Sequence, residues 1–470
     1  MESGHMKFFC GFYMKRKQSV PIPKESETIL TGKHKLYVCG DWKEHEVQVF
    51  DFPFGKFVFL GECLATKHEI EKILLREGSK ESPHYHSLAH LPGNFNLIVL
   101  AADEMFLYSD MSALRPIYYS NQENYVIFAS TSLPIQQLIE APLESDRVIM
   151  SFICAGMTEF THQISLFQGI NRVPPITALH LSPCQHRLVR YWQPKLVMTL
   201  EEATIPFRQG IMQSIHRRLH NVERVSAEVS GGLDSTTLAL VVADKLQERH
   251  RNLIGLTLKS PSPHEAEDVN LAVEACQSRN NIDHLLLEPH EYPLPYESMD
   301  EVPLTDEPIV FLTTYGWIYS LLERARLFGS ELHISGDGGD NVLVASYTYL
   351  TDLCRFKKLG SFLKHTYGWS RVKYESPWKW IWRAYKLRTT PYTQWIQDQV
   401  ALLYKEPNRD DRFGWSGSPV LTSWLTKDIK RSVGERLVEQ RPLLYSDTPG
   451  MQNFFTSLFL TGQSENLSNA

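Results

Sequence analysis

Residues 226–240 read SAEVSGGLDSTTLAL, a stretch that sets two adjacent glycines, an aspartate and several hydroxyl side chains between an apolar strand-like segment and an apolar helix-like one. Glycine reaches positive φ without steric cost and lets the backbone approach a ligand closely. Free N–H groups at a helix start, reinforced by the helix dipole, suit an anion such as phosphate. Ser230 and Ser235 add hydroxyl donors. The loop holds no lysine, so it is not the G-x-x-x-x-G-K-[ST] phosphate loop, and it lacks the G-x-G-x-x-G pattern of dinucleotide binding. Asp234 beside a polyphosphate would be repelled unless a hard divalent cation bridged carboxylate and phosphate.

Around this loop the chain alternates. From Glu201, helix-like LEEATIPFRQGIMQSIHRRLH precedes strand-like RVSAEVS, and STTLALVVADKLQERH leads to LIGLTLKS. AEDVNLAVEACQSRN leads to DHLLLEP, and TTYGWIYSLLERARLFG to ELHISGD. Such alternation implies crossover units and a parallel sheet with helices on both faces, with ligands beyond the carboxyl ends of the strands. The last of these strands ends in a second glycine-acid loop, Ser335-Gly336-Asp337-Gly338-Gly339-Asp340. Two such strand ends side by side would hold ATP, with Mg²⁺ between Asp234 and Asp340. Up to about residue 190 the chain instead reads β-rich, in HKLYVCGDW, FVFLGECL, FNLIVLAADEMFLYSD and NYVIFAS, with a helical pattern in KHEIEKILLREG and a closing hairpin in INRVPPITALHLSPCQHRLVRYWQPK. Beyond Tyr347 it is helical and aromatic, and SPWKWIWRAYKL carries three tryptophans, suited to packing a helical layer or to facing a peptide.

A length of 470 residues suits two domains, expected at 1–195 and 201–470. The net charge of −6 argues against nonspecific nucleic-acid binding. Seven scattered cysteines with no C-x-x-C pair read as reduced thiols, and no apolar run reaches membrane-spanning length, so a cytoplasmic protein is expected. The opening residues do not have the order of a secretory signal, and the start at Met1 or Met6 stays open. His84, His86 and His90 are read as a surface loop rather than a metal site.

SGGLDS resembles the pyrophosphate loop of the ATP-pyrophosphatase superfamily, and SGDGGDN resembles the S-G-[ED]-G-x-D-E element of asparagine synthetase-like enzymes. SDMSALRPIYYS, YVIFASTSLP and LFQGINRVPP resemble segments of class II glutamine amidotransferase domains, so that the similarity spans about residues 6 to 350. The resemblance implies an α/β protein: an N-terminal α+β class II glutaminase-like (Ntn-type) sandwich, then a doubly wound parallel-sheet, adenine-nucleotide hydrolase-like synthetase domain. It implies ATP and Mg²⁺ as cofactors. It implies pyrophosphate binding by Ser230, Gly231, Gly232, Asp234 and Ser235, and metal ligation by Asp234 and Asp340. Ser335 and Gly336 would contact the AMP half, Leu256 or Thr257 would lie on the adenine strand, and Asp337 would stand in the place of an essential catalytic glutamate.

The departures narrow the branch. A working glutaminase of this class uses an N-terminal cysteine, whereas MKFFCGFY places Cys10 inside the chain, where removing Met1 does not expose it. The first domain is therefore expected to be a scaffold, with the amine supplied by the substrate. That pattern is similar to lasso peptide macrolactam synthetases and to β-lactam synthetases, and GDGGD followed by an aromatic helical segment looks more like the former. The resemblance implies a precursor peptide as substrate and, as partners, a leader peptidase and a leader-recognition protein. Asp306 and Glu307 are candidate substrate contacts, or a helix N-terminus that favours acids. The family pattern continues past NLSNA into an R-x-P-F-L-D segment and a lysine, so the chain is expected to be truncated at its C-terminus, or Lys427 to serve instead. A glutamine-hydrolysing asparagine synthetase and a catalytically impaired binding module remain alternatives.

Overall fold

The computed structural model describes residues 7–78, 85–111, 114–154, 156–161, 163–193, 199–260, 266–302, 305–307, 313–405, 413–420, 422–440 and 446–464. The chain forms two compact units, one of Met1–Gln193, Thr305–Pro308 and Asn341–Ala470, the other of Pro194–Leu304 and Ile309–Asp340.

In the first unit the strands are β1 (Phe8–Met14), β2 (Ser26–Leu30), β3 (Lys35–Cys39), β4 (Val47–Phe52), β5 (Gly55–Cys63), β6 (Gly93–Ala101), β7 (Glu104–Tyr108), β8 (Tyr118–Asn121), β9 (Tyr125–Ala129), β10 (Asn171–Arg172), β11 (Thr177–Leu181) and β12 (His186–Arg190). They build two six-stranded sheets, ordered β10-β8-β9-β1-β3-β2 and β12-β11-β7-β6-β5-β4. All their pairings are antiparallel. Period-2 alternation sends Phe9, Tyr13, Leu36 and Val38 inward against Val58, Leu60, Ile98 and Leu107 of the facing sheet. The intervening residues of β1, Cys10 and Phe12, point to the opposite face, with Ile135 of α3 (Leu133–Ile139). The second sheet's outer face is covered by Ile70 and Leu74 of α1 (Lys67–Gly78) and Leu88 of α2 (His86–Ala89). The result is a helix–sheet–sheet–helix sandwich.

Further helices complete this unit: α4 (Ser145–Ile153), α5 (Thr158–Thr161) and, after the second unit, α11 (Tyr349–Arg355), α12 (Leu359–Val372), α13 (Pro377–Thr389), α14 (Tyr392–Leu402), α15 (Lys427–Glu439) and α16 (Pro449–Ser464). Met150 and Ile153 of α4 share a core with Leu387, Trp395, Val433 and Leu437. That shared core explains why residues after 340 belong to the first unit, whereas the sequence reading placed them in a second domain running from 201 to 470. Trp380 is fully buried beside Leu350, Phe362 and Ala384, so truncating it to alanine removes about 3–5 kcal/mol.

The second unit is a four-stranded parallel sheet ordered β15-β14-β13-β16, of β13 (Val225–Glu228), β14 (Leu253–Leu258), β15 (Ile282–Leu287) and β16 (Leu332–Ile334). Its helices are α6 (Leu200–Arg218), α7 (Leu233–Gln247), α8 (Ala266–Gln277) and α9 (Tyr315–Leu327), and α10 (Gly339–Leu343) follows the last strand. Thr199 caps α6 by accepting the Glu202 N–H, while the Glu202 carboxylate accepts the Thr199 N–H. Ile215, Ala239, Val242 and Ala272 of α6, α7 and α8 bury one face with Val225 and Ala227. Leu321 and Ala325 of α9 bury the other with Leu256 and Leu287. Helices on both faces make the sheet doubly wound. From β13 the chain steps outward through β14 to β15, then returns by α9 to β16 on the far side of β13. The winding direction therefore reverses between β13 and β16, and crevices at such reversals receive ligands.

Cys10 lies in the middle of its sheet, opposite Tyr37 on one side and Ala129 on the other. Burial, and then the neighbouring Cys39, pushes its thiol up to about 12. Thiolate is the reactive form. Alkylation of the native protein at pH 8 should therefore modify the exposed Cys184 and spare Cys10, as read by peptide mass mapping. Equal labelling of both would refute the buried placement of β1.

Candidate active site at the β13–β16 switch

The loop after β13 is held by its own side chains. Ser230 N–H donates to Ser235 Oγ at 3.1 Å, and the two hydroxyls lie 2.7 Å apart. Gly231 N–H donates to Thr236 Oγ1 at 3.2 Å, and Gly232 N–H to Ser230 Oγ at 3.2 Å. Gly231 stands at φ +85°, and a Cβ there would run into the Asp268 carbonyl. Positive φ alone disfavours other residues by about 1–2 kcal/mol, and the clash adds to that, so only glycine fits. Gly232 is the N-cap of α7, which places Asp234 and Ser235 in its first turn.

The loop after β16 closes over that turn. A Cβ on Gly336 would lie 2.7 Å from Ser235 N. A Cβ on Gly339 would collide with the Asp234 carboxylate. The absence of side chains at Gly336 and Gly339 is thus what lets the second loop seat against the first. Gly338 turns the chain at φ +85°, and Asp340 follows Gly339 in the first turn of α10. Asp337 is exposed, with its carboxylate accepting from Ser335 Oγ at 3.2 Å. The sequence-derived residues Ser230, Gly231, Gly232, Asp234, Ser235, Ser335, Gly336, Asp337 and Asp340 therefore cluster in two abutting loops.

Leu256 and Thr257 lie on the adjoining β14, but their side chains are spent elsewhere. Leu256 is wholly buried among Leu287, Leu321 and Ala325. Thr257 is buried and donates its hydroxyl to the Val229 carbonyl at 2.5 Å, with His284 Nε2 at 2.8 Å. Neither offers a side chain to a base. The open cavity at this end of the sheet is lined instead by Glu228, Ser230, Leu258, Ser260, Asp268 and Val269. Glu228 carries no motif of its own, and sequence reasoning missed it. Burial, then the Asp337 carboxylate, pushes its carboxyl above the usual range. His333, behind the loop, is lowered to about 4 by burial, and its Nδ1 lies 2.8 Å from Ser226 Oγ.

The donor set fits Mg²⁺ in one specific way. Among the described residues no group of three or more His, Cys, Asp and Glu is assembled for a metal. Two carboxylates beside a glycine cradle suit a hard cation that takes its other ligands from phosphate and water. His84 lies outside the described residues, and His86 Nδ1 sits 3.1 Å from Tyr108 OH.

Asp306 and Glu307 require a correction. They lie in the first unit, with their carboxylates taken up by protein partners. Asp306 Oδ2 accepts from Thr131 Oγ1 at 2.7 Å, Ser132 N–H at 2.6 Å and Ser132 Oγ at 3.2 Å. Glu307 Oε2 accepts from Arg147 at 3.1 Å, and Oε1 from Tyr118 OH at 3.3 Å. These partners give both residues a structural role in the first unit, and the residues that would follow them in a helix lie outside the described ones. Burial pushes Glu307 up to about 7, against the pull of Arg147 and Arg172. A raised folded pKa means that the native state binds the proton more tightly, so stability is lost as pH rises through the window up to about 7. The Glu307→Gln variant lacks this group. Relative to it, the wild-type unfolding midpoint should fall between pH about 4.5 and 7; a constant difference across that window would contradict the assignment.

Residues 207–440 match the family model described as asparagine synthase. No curated protein matches the chain in sequence. Among solved structures, the chain is similar to the allosteric regulatory enzyme of purine biosynthesis, at 11% identity, TM-score 0.25, covering 70% of this chain and 83% of that one. It is also similar to the glutamine phosphoribosylpyrophosphate amidotransferase from B. subtilis complexed with ADP and GMP, at 12% identity, TM-score 0.24, covering 65% and 77%. The matched asparagine synthase domain is that of an ATP-dependent carbon–nitrogen ligase.

Proposed function

We propose that the protein adenylates a substrate carboxylate with ATP, releasing pyrophosphate, and then joins the activated carbonyl to an amine of the same substrate. The observation that carries this reading is the seating of Gly339 against the Asp234 carboxylate, which puts Asp340 and the pyrophosphate-type loop at one strand-end crevice. Asp234 and Asp340 would hold Mg²⁺, which when bound offsets the charge of the β- and γ-phosphates. The N–H groups of Leu233, Asp234 and Ser235 in the first turn of α7 would stabilise charge developing on the departing pyrophosphate. The carboxylate oxygen attacks the α-phosphorus, the α–β bridging bond breaks, and an acyl adenylate forms. The amine then attacks the acyl carbon and AMP leaves. We assign the amine proton to Asp337, a carboxylate exposed on the loop after β16.

The substrate we propose is a precursor peptide that is cyclised between an Asp or Glu side chain and its N-terminal amine, as in lasso peptide biosynthesis, with a leader peptidase and a leader-recognition protein acting upstream. The first unit supports an amine source within the substrate. Cys10, buried with its thiol pushed up to about 12 and its amide within a paired strand, is unsuited to releasing ammonia from glutamine. Tethering the amine replaces a bimolecular encounter with a ring closure.

Pyrophosphate release and product mass test the two steps separately. Asp234→Asn and Asp340→Asn should each abolish peptide-stimulated pyrophosphate release. Asp337→Asn should slow ring closure by about 10²–10⁴-fold while pyrophosphate release continues, with the adenylate trapped by hydroxylamine. Full release by either metal-site variant, or ammonia transfer from glutamine, would overturn the reading.

A further inference from the structure

The helix α13 has two apolar sides. Trp380, Ala384 and Leu387 are buried in the helical core. At 100° per residue, Trp378, Trp382 and Tyr385 fall on the opposite side, and they are 76%, 61% and 54% exposed. Folding of the chain therefore leaves an aromatic row along the outer crest of α13. The neighbouring α12 carries a second exposed set, Leu359, Leu363 and Tyr367. Exposed aromatic rows of this kind mark interaction surfaces.

The surrounding charge points to the occupant. Residues 355–390 contain ten Lys and Arg and a single acid, Glu375, for a local net of +9 in a chain whose net charge is −6. On α13 the cations flank the aromatic row. Lys386 Nζ lies 5.3 Å over the Trp382 ring, and Lys379 sits 3.0 Å from Glu375. Tryptophan and tyrosine favour the level of lipid headgroups, where the ring is buried and its polar edge stays hydrated. Lys and Arg beside them reach anionic headgroups while their stems cover apolar surface. A helix that is apolar along one outward side and basic along its flanks lies in the plane of such an interface. Single-stranded nucleic acid, which also takes aromatics and cations, threads a basic groove with stacking rings inside it, whereas these rings stand on the side of a helix directly opposite its packed one.

We propose that the outward side of α13 is a peripheral membrane-docking surface for anionic lipid, which would hold the protein at a membrane surface. Among the described residues no helix is long and apolar enough to cross a membrane. The inference does not rest on the proposed reaction, because the surface shares no residue with the site at the β13–β16 switch.

Flotation of the full chain tests it, using phosphatidylcholine vesicles with and without 30% phosphatidylglycerol in about 0.1 M salt, near the 10 Å screening regime. The expected result is flotation with the anionic vesicles and at least tenfold less with pure phosphatidylcholine. The double variant Trp378→Ser/Trp382→Ser and the triple variant Lys379→Gln/Lys386→Gln/Arg388→Gln should each lose at least tenfold. Both should keep a cooperative unfolding transition, the triple variant losing the Arg388–Cys354 and Lys379–Glu375 contacts, and both should keep pyrophosphate release, since none of the substituted residues belongs to the β13–β16 site. Absence of flotation with anionic vesicles, equal flotation with both compositions, or wild-type flotation by correctly folded variants would overturn the proposal. So would displacement of the aromatic row by a second copy of the chain, seen as a dimer that the Trp378→Ser/Trp382→Ser change dissolves, or by single-stranded RNA bound more tightly than the vesicles.

Discussion

The site depends on the backbone of Gly339 lying directly against the carboxylate of Asp234, where any side chain would collide. Two like-charged groups, Asp234 and Asp340, are brought to one place by that contact. A hard divalent cation shared with a phosphate would offset the repulsion between the two carboxylates. The rest of the second unit can be understood as the means of presenting it. The parallel order β15-β14-β13-β16 sends the chain outward and then back, and the reversal sets the ends of β13 and β16 side by side. Gly231 and Gly336 remove the remaining Cβ atoms that would hold the two loops apart.

The first unit shows how the same kind of group behaves when nothing is left open. Asp306 and Glu307 are also adjacent carboxylates, yet they are saturated by Thr131, Ser132, Arg147 and Tyr118. Breaking such a buried charged pair by removing one partner costs about 3–5 kcal/mol, which fits a structural fastening. Glu228 and Asp268 line an open cavity instead, and Glu228, partly buried beside Asp337, is held toward its neutral form. The contrast between satisfied and open carboxylates separates structure from chemistry here better than acidity alone.

Much of this was legible in the sequence where the signal was local. The helix read in KHEIEKILLREG is α1, the closing hairpin is β11 and β12, and both glycine-acid loops sit at strand ends. Each depends on spacing or on glycine within a few residues. What the sequence hid depends on partners far along the chain. The Thr131–Asp306 bond joins residues 175 positions apart, so no local pattern could show that Asp306 was already occupied. The core of α4 with α14 and α15 assigns the late helices to the first unit for the same reason. The three tryptophans of α13 look alike in sequence, and only packing divides Trp380 from Trp378 and Trp382. Glu228 lacks any motif and becomes notable only through its burial and its neighbour Asp337.

The central claim is that Asp234 and Asp340 act on one bound nucleotide through a shared cation. A double-mutant cycle on Mg²⁺-dependent ATP affinity, measured by titration calorimetry on the wild type, Asp234→Asn, Asp340→Asn and the double variant, addresses it directly. The account predicts strong coupling: each single change removes most of the Mg²⁺-dependent affinity, and the double variant is little weaker than either. Independent, additive losses, or a wild-type Mg²⁺ dependence in Asp340→Asn, would contradict it.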